Sequence, residues 1–230
     1  MSEHAMTQDV TSTFSLVRAL GIVSAVCGLI IVATYQVTLD AANANRRIAT
    51  ERAVFKVLPT AKSIQEYSAL PGGSIVPAGG AEGTGPAGAV KFYAAYDGDN
   101  KLVGIAAEGA AKGYADTVRV MFGYKPDCQC ITGFGVVSMR ETPGIGDKIY
   151  TDKAFLANFE ALDLKLNADL SALANEVKVV KHGTKNQPWQ IDAIAGATIT
   201  SRAVGKGIDE TAQHLLPKLY PNLEKLKVKS

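Results

Sequence analysis

Between Ile191 and Ser201 the chain reads IDAIAGATITS. Gly196 and Ala197 strip the backbone of side-chain bulk, and three hydroxyls follow at Thr198, Thr200 and Ser201. They stand where a strand-like run, WQIDAI, gives way to a helical pattern. A helix start leaves its first backbone N–H groups without partners and carries about half a positive charge. Two chemistries suit that position. The hydroxyls can cap the helix, or the bare backbone beside it can receive a phosphate. The second reading predicts a phosphate-bearing ligand held near Thr198.

A second stretch, SMRETPGIGDKI (residues 138–149), follows a strand-like run and carries a Pro-Gly-x-Gly loop. Such a loop exposes main-chain N–H and C=O groups under little steric cover, which suits a planar ring with polar edges. Glu141, Thr142 and Lys148 add polar side chains around it. Taken alone, the loop is equally an ordinary turn with its charges in solvent.

These stretches need elements to hold them. AVKFYAAYD and KLVGIAAEG are strand-like runs joined by the hairpin signal Gly98-Asp99-Asn100. DTVRVMFGY and ITGFGVVSM follow, joined across Pro126-Asp127 and the pair Cys128 and Cys130. TDKAFLANFE opens on the capping residues Thr151 and Asp152 and sets Phe155 and Phe159 four apart on one helical face. EVKVVKH reads as another strand. Val204, Ile208, Leu215 and Leu216 trace a helical stripe near the C-terminus. The pattern predicts an α+β fold with a mostly antiparallel sheet of at least four strands and packed helices.

From Leu16 to Leu39 the chain is almost wholly apolar, with Arg18 its only charge. About twenty such residues cross a hydrocarbon core. A secretory signal peptide is the alternative, but its apolar region is shorter. We expect a tail over residues 1–15, a transmembrane helix over 16–39, a helical stem and Gly/Pro-rich loop over 40–88, and a ligand-binding domain over 89–230. The stem helix should end at Pro59. Basic residues crowd the flank after the span, at Arg46, Arg47, Arg52 and Lys56. Counted naively, they place the large C-terminal part in the cytoplasm.

Composition excludes other classes. The 230 residues are 47% hydrophobic and 20% charged, with a net charge of +2 and no basic stripe, so no nucleic-acid partner is expected. Three cysteines are too few for a structural zinc site. Cys27 reads as a small packing residue; Cys128 and Cys130 read either as a disulfide at a strand tip or as free thiols.

Together the two motifs resemble the FMN-binding domain of the G subunit of Rnf electron-transport complexes and of the C subunit of the sodium-translocating NADH:quinone reductase. Asp192, Gly196, Ala197 and Thr198 match one family pattern, and Glu141, Thr142, Pro143, Gly144 and Gly146 match the other. The single span ahead of the domain fits as well, and ETPGIGDKI leans toward the Rnf protein. Ala195 departs from the pattern, which has Ser or Thr there.

The resemblance implies an FMN joined by a phosphoester to Thr198, attached by an ApbE-type flavin transferase with FAD as donor. The ring would rest near residues 141–146. Gly196, Ala197, Thr200, Asp192, Glu141, Thr142, Pro143, Gly144, Gly146 and Lys148 would serve the cofactor. It further implies an electron-carrying membrane subunit of a complex that couples ferredoxin and NAD to ion translocation, with the other subunits and the bilayer as partners. The family places this domain on the extracytoplasmic side of the inner membrane, against the charge count. The alternatives are the quinone-reductase subunit or another membrane redox system, a structural anchor without flavin, and a binder of a different phosphorylated ligand.

Overall fold

A computed structural model describes residues 13–78 and 88–227. Most of the expected N-terminal tail, the centre of the Gly/Pro-rich loop and residues 228–230 lie outside the described residues. The chain divides into two compact units after Arg47.

One helix, α1 (Thr13–Val57), runs across that division. Its N-terminal part is apolar on every face, with Leu20, Ile30 and Val37 all exposed. Mean hydropathy reaches 2.4 over its best 18-residue window, long and apolar enough to cross a membrane. Thr34 and Thr38 donate their hydroxyls back to the carbonyls of Ile30 and Thr34, both at 2.8 Å, so neither polar group is left bare in the apolar run. Cys27, expected to pack, is exposed on this helix. The helix stops two residues before Pro59, because the residue ahead of a proline is sterically pushed out of the helical region.

The second unit is built on a seven-stranded antiparallel sheet in the order β2-β1-β3-β4-β5-β6-β7. Its strands are β1 (Ser63–Ala69), β2 (Ile75–Pro77), β3 (Val90–Tyr96), β4 (Leu102–Lys112), β5 (Thr117–Lys125), β6 (Cys130–Ser138) and β7 (Leu162–Asp163). β3 to β6 are the four runs expected from the sequence. The sheet begins upstream of residue 89, however. β1 pairs with β3 along its full length, from Ser63↔Tyr96 to Ala69↔Val90. Its sequence, SIQEYSA, is mostly polar and shows no helical or strand period of its own. The long-range partner makes it a strand, and this is why the stretch reads as stem and loop in isolation.

Both faces of the central strands are covered, so β4 and β5 are buried through their middles without alternation. On one face the end of α1 packs Val54, Val57 and Leu58 against Ala95, Ala106 and Met121. On the other lies the main core under α3 (Thr198–Leu219), whose Val204, Ile208, Leu215 and Leu216 are all buried as the stripe predicts. α3 crosses β4 at a point where no side chain fits. A Cβ on Gly109 would stand 2.5 Å from the Gly207 carbonyl oxygen.

Between β6 and β7 a 3-10 turn (Gly146–Tyr150) leads into the short α2 (Lys153–Ala157). Asp152 caps α2 by accepting the Phe155 N–H at 3.0 Å. Phe155 and Phe159 meet edge to face at 5.3 Å, and Phe159 stacks on Phe134 of β6 at 4.2 Å. A separate parallel pair, β8 (Lys178–Val180) and β9 (Gln190–Asp192), delivers the chain to the start of α3. α4 (Leu223–Leu226) ends the described chain. Cys128 and Cys130 form a disulfide at the β5–β6 turn, which resolves the two readings of that pair.

Gly109→Ala is expected to destabilise the folded unit by about 1–3 kcal/mol through overpacking at the helix crossing. Urea denaturation checks it, and an unchanged midpoint would show that the crossing tolerates a methyl group.

Candidate functional site

β9 leads through Ala193–Ala197 directly into α3, and the loop turns at Gly196 with φ +83°, a left-handed conformation that L side chains rarely adopt. A Cβ built on Gly196 meets nothing within 4 Å, so the approach to the helix start is open. Ala197 is the N-cap and provides no capping side chain. No side chain caps the helix start; Ser201, which is fully buried, instead ties it to the incoming loop. Its hydroxyl donates to the Ala197 carbonyl at 2.9 Å and accepts the Ile194 N–H at 3.1 Å. Thr198, the first helical residue, is half-buried, and its hydroxyl makes no hydrogen bond among the described residues.

Thr200 has a different job. It is buried, and its hydroxyl donates to Glu141 Oε2 at 3.3 Å. Glu141 Oε1 accepts the N–H groups of Tyr114 and Ala115 at 2.9 and 3.3 Å. One carboxylate therefore joins three segments: the Pro-Gly loop that carries it, the β4–β5 turn, and the first turn of α3. It fits because Gly113 and Gly146 have no side chain. A Cβ on either would come within 3 Å of Glu141 atoms. Thr200 and Glu141, both expected to serve the cofactor, thus bond each other.

The loop itself is tighter than its composition suggests. The Thr142 carbonyl accepts from both Ile145 and Gly146, at 3.2 and 2.9 Å. Those two N–H groups are turned inward and not offered to a ring. Thr142, Pro143 and Gly144 are exposed, and Gly144 has φ +78°. Lys148 is exposed and lines a cleft of about 190 Å³ with Asp152, Phe155, His182 and residues 192–195. That cleft brings Lys148 and the Asp192 motif together.

Asp192 is locked from several sides. Its Oδ1 accepts the Gly183 N–H at 2.7 Å, and its Oδ2 lies 3.4 Å from His182 Nδ1. His182 Nδ1 is also 3.0 Å from the Ala193 carbonyl oxygen, which can only accept, so Nδ1 carries the proton. The backbone of Asp192 is gripped by the buried Asn158, whose Oδ1 accepts the Asp192 N–H at 3.0 Å and whose Nδ2 donates to its carbonyl at 3.3 Å. Lys185 Nζ donates to the same Asn158 Oδ1 at 3.0 Å. Burial pulls the Lys185 ammonium below the usual lysine range, and the Asp192 charge partly offsets this. Asn158, His182 and Lys185 lie 34, 10 and 7 residues upstream of Asp192. Nothing in their local sequence marks them, since each reaches the site through a loop.

Residues 113–213 match the FMN-binding domain family, and both motifs fall inside the match. Over 211 residues the chain is 29% identical to the G subunit of the proton-translocating ferredoxin:NAD(+) oxidoreductase complex of Clostridium ljungdahlii, covering 92% of this chain and 96% of the relative. It is 35% identical over 120 residues to the G subunit of the Na(+)-translocating ferredoxin:NAD(+) oxidoreductase complex of Acetobacterium woodii, covering 51% of this chain and 48% of that one. Among solved structures, NqrC of Shewanella oneidensis superposes with a TM-score of 0.60 at 21% identity, over 80% of this chain and 99% of that one. The C subunit of the Na(+)-translocating NADH-quinone reductase of Parabacteroides distasonis gives 0.56 at 19% identity, over 84% and 98%. The two structures establish the fold, and the resemblance to Rnf G subunits drawn from the two motifs is borne out.

Replacing Glu141 with Ala is expected to cost about 1–3 kcal/mol, because two backbone donors and the Thr200 hydroxyl lose their acceptor. Hydrogen exchange at Tyr114 and Ala115 should accelerate in Glu141→Ala and stay near wild type in Glu141→Gln, which keeps an acceptor oxygen. Equal protection in all three proteins would refute the joining role.

Proposed function

We propose that this chain is the membrane-anchored, FMN-carrying subunit of an Rnf-type ferredoxin:NAD oxidoreductase complex, with the FMN held by a phosphoester to Thr198. The observation that carries the reading is the Thr198 hydroxyl. It is half-buried, unpartnered among the described residues, and placed at the start of a 22-residue helix within the FMN-binding match.

The residues present suit the group. Gly196 and Ala197 leave the hydroxyl approachable by a modifying enzyme. The N–H groups at the start of α3 and the positive end of its dipole favour a phosphate there. Asn158 and Gly183 hold Asp192 rigid, which fixes the loop that presents Thr198. In maturation the Thr198 oxygen would take the FMN phosphoryl group from FAD, releasing AMP and the hydroxyl proton, with an ApbE-type transferase as the enzyme. An FMN bound there would supply one- and two-electron transfer chemistry between the partner subunits. This chain's own part is to keep that group at a fixed place beside the membrane at high local concentration. Its partners are then the other membrane subunits of the complex and the bilayer itself.

We place the folded unit on the extracytoplasmic side. The Cys128–Cys130 disulfide supports this, because disulfides persist in oxidising compartments. The basic flank at residues 46–56 argues the other way, but the positive-inside rule is a statistical bias.

Thr198→Ala, co-produced with the flavin transferase, is expected to have the mass of its amino acids alone, while Thr198→Ser retains the FMN increment. Covalent flavin surviving denaturation in Thr198→Ala would sink the assignment. For orientation, alkaline phosphatase fused after Ser230 is expected to be active. An inactive phosphatase fusion beside a fluorescent green fluorescent protein fusion would reverse the topology.

A further inference from the structure

We infer that Tyr114, at the tip of the β4–β5 turn, contacts the isoalloxazine ring of the flavin carried at Thr198. The inference rests on the reading above and adds to it a contact from a third segment, outside both motifs.

The starting point is the distribution of exposed apolar side chains. Within residues 48–227, the three most exposed large hydrophobic residues described are Tyr114 (69%), Ile199 (51%) and Ile145 (49%). Each lies on a different one of the three segments that Glu141 joins. Tyr114 and Ala115 donate to its Oε1, Ile199 precedes the Thr200 that donates to its Oε2, and Ile145 is four residues along its own loop. The fold thus puts its most exposed apolar groups on the three segments that one half-buried carboxylate joins, and Thr198 lies two residues from the Thr200 that bonds it. Single exposed apolar residues are ordinary, but a cluster at one place marks a binding surface.

The chemistry of the trio selects the occupant. Ile145 and Ile199 offer aliphatic edges, and Tyr114 alone offers an aromatic face, which favours another planar ring in offset or edge contact. Its hydroxyl makes no hydrogen bond among the described residues, so the side chain is not already held elsewhere. Its backbone is held. The turn closes through the Gly113 N–H to the Asp116 carbonyl at 2.8 Å, and the Tyr114 N–H is fixed to Glu141 at 2.9 Å. A rigid backbone with an unoccupied aromatic side chain is a preorganised contact, and binding to it costs little further ordering. A flavin tethered at Thr198 is the ring nearest to hand. A partner protein seated on the same patch is the competing occupant.

The test uses the full chain co-produced with the flavin transferase. Intact mass reports covalent FMN, and flavin emission and anisotropy per FMN report the ring's surroundings. A phenol in contact with a flavin quenches its emission. Tyr114→Ala is expected to carry the same FMN mass, with emission raised severalfold and anisotropy lowered. Tyr114→Phe should restore the anisotropy and leave emission above wild type. If Tyr114→Ala is fully loaded and both signals match wild type, the contact is overturned and the patch belongs to a partner. Loss of the FMN mass in Tyr114→Ala also overturns it, because the residue then serves attachment. A wild-type chain without the FMN mass overturns both this contact and the reading beneath it.

Discussion

The candidate site depends on one carboxylate with three donors. Glu141 takes two backbone N–H groups from the β4–β5 turn and a hydroxyl from the first turn of α3. A half-buried charge is costly unless its acceptor capacity is filled, and here the donors come from parts of the chain 26 to 59 residues away. Satisfying the charge and assembling the site are therefore one event. Two missing side chains, at Gly113 and Gly146, leave the carboxylate room. The conspicuous glycines of the Pro-Gly loop are thus only partly about exposing backbone to a ligand. Gly146 is where Glu141 passes.

The helix that carries Thr198 is placed by a second constraint, its crossing with β4. Gly109 and Gly207 let the two backbones approach without side chains between them, and the buried stripe from Val204 to Leu216 seals the contact. The axis of α3 is set by this packing, and the position of its N-terminus follows. Ser201 then ties the incoming loop to the helix start, and Asn158 and Gly183 immobilise Asp192 behind it. The result is a hydroxyl at position 198 whose surroundings are stiff while its own oxygen stays uncommitted. That combination would suit the covalent attachment proposed for Thr198.

Several roles moved between residues once the chain was folded. Of three hydroxyls in one short run, Ser201 anchors the loop, Thr200 bonds Glu141, and only Thr198 has no hydrogen-bond partner among the described residues. Linear spacing gives all three the same apparent standing, because capping and ligand binding draw on the same residue types. β1 was illegible for a related reason. Its polar sequence becomes a strand only through its pairing with β3.

By itself the sequence determined what local pattern can encode. The apolar run of α1, the four central strands, the stripe of α3 and the Asp152 cap follow from side-chain period and composition, which act over a few residues, while the two motifs stood out through their resemblance to a family. Tertiary structure alone decided the outer strands β1 and β2, the Cys128–Cys130 pairing, the grip of Asn158 on Asp192, and the gathering of Tyr114, Ile145 and Ile199 around Glu141. Each of these, the disulfide and the local β1–β2 hairpin excepted, joins residues far apart in the chain, and the disulfide required the turn geometry that brings its sulfurs together. Such contacts form only when burial of the sheet between α1 and α3 fixes where the connecting loops emerge, and no local pattern records that.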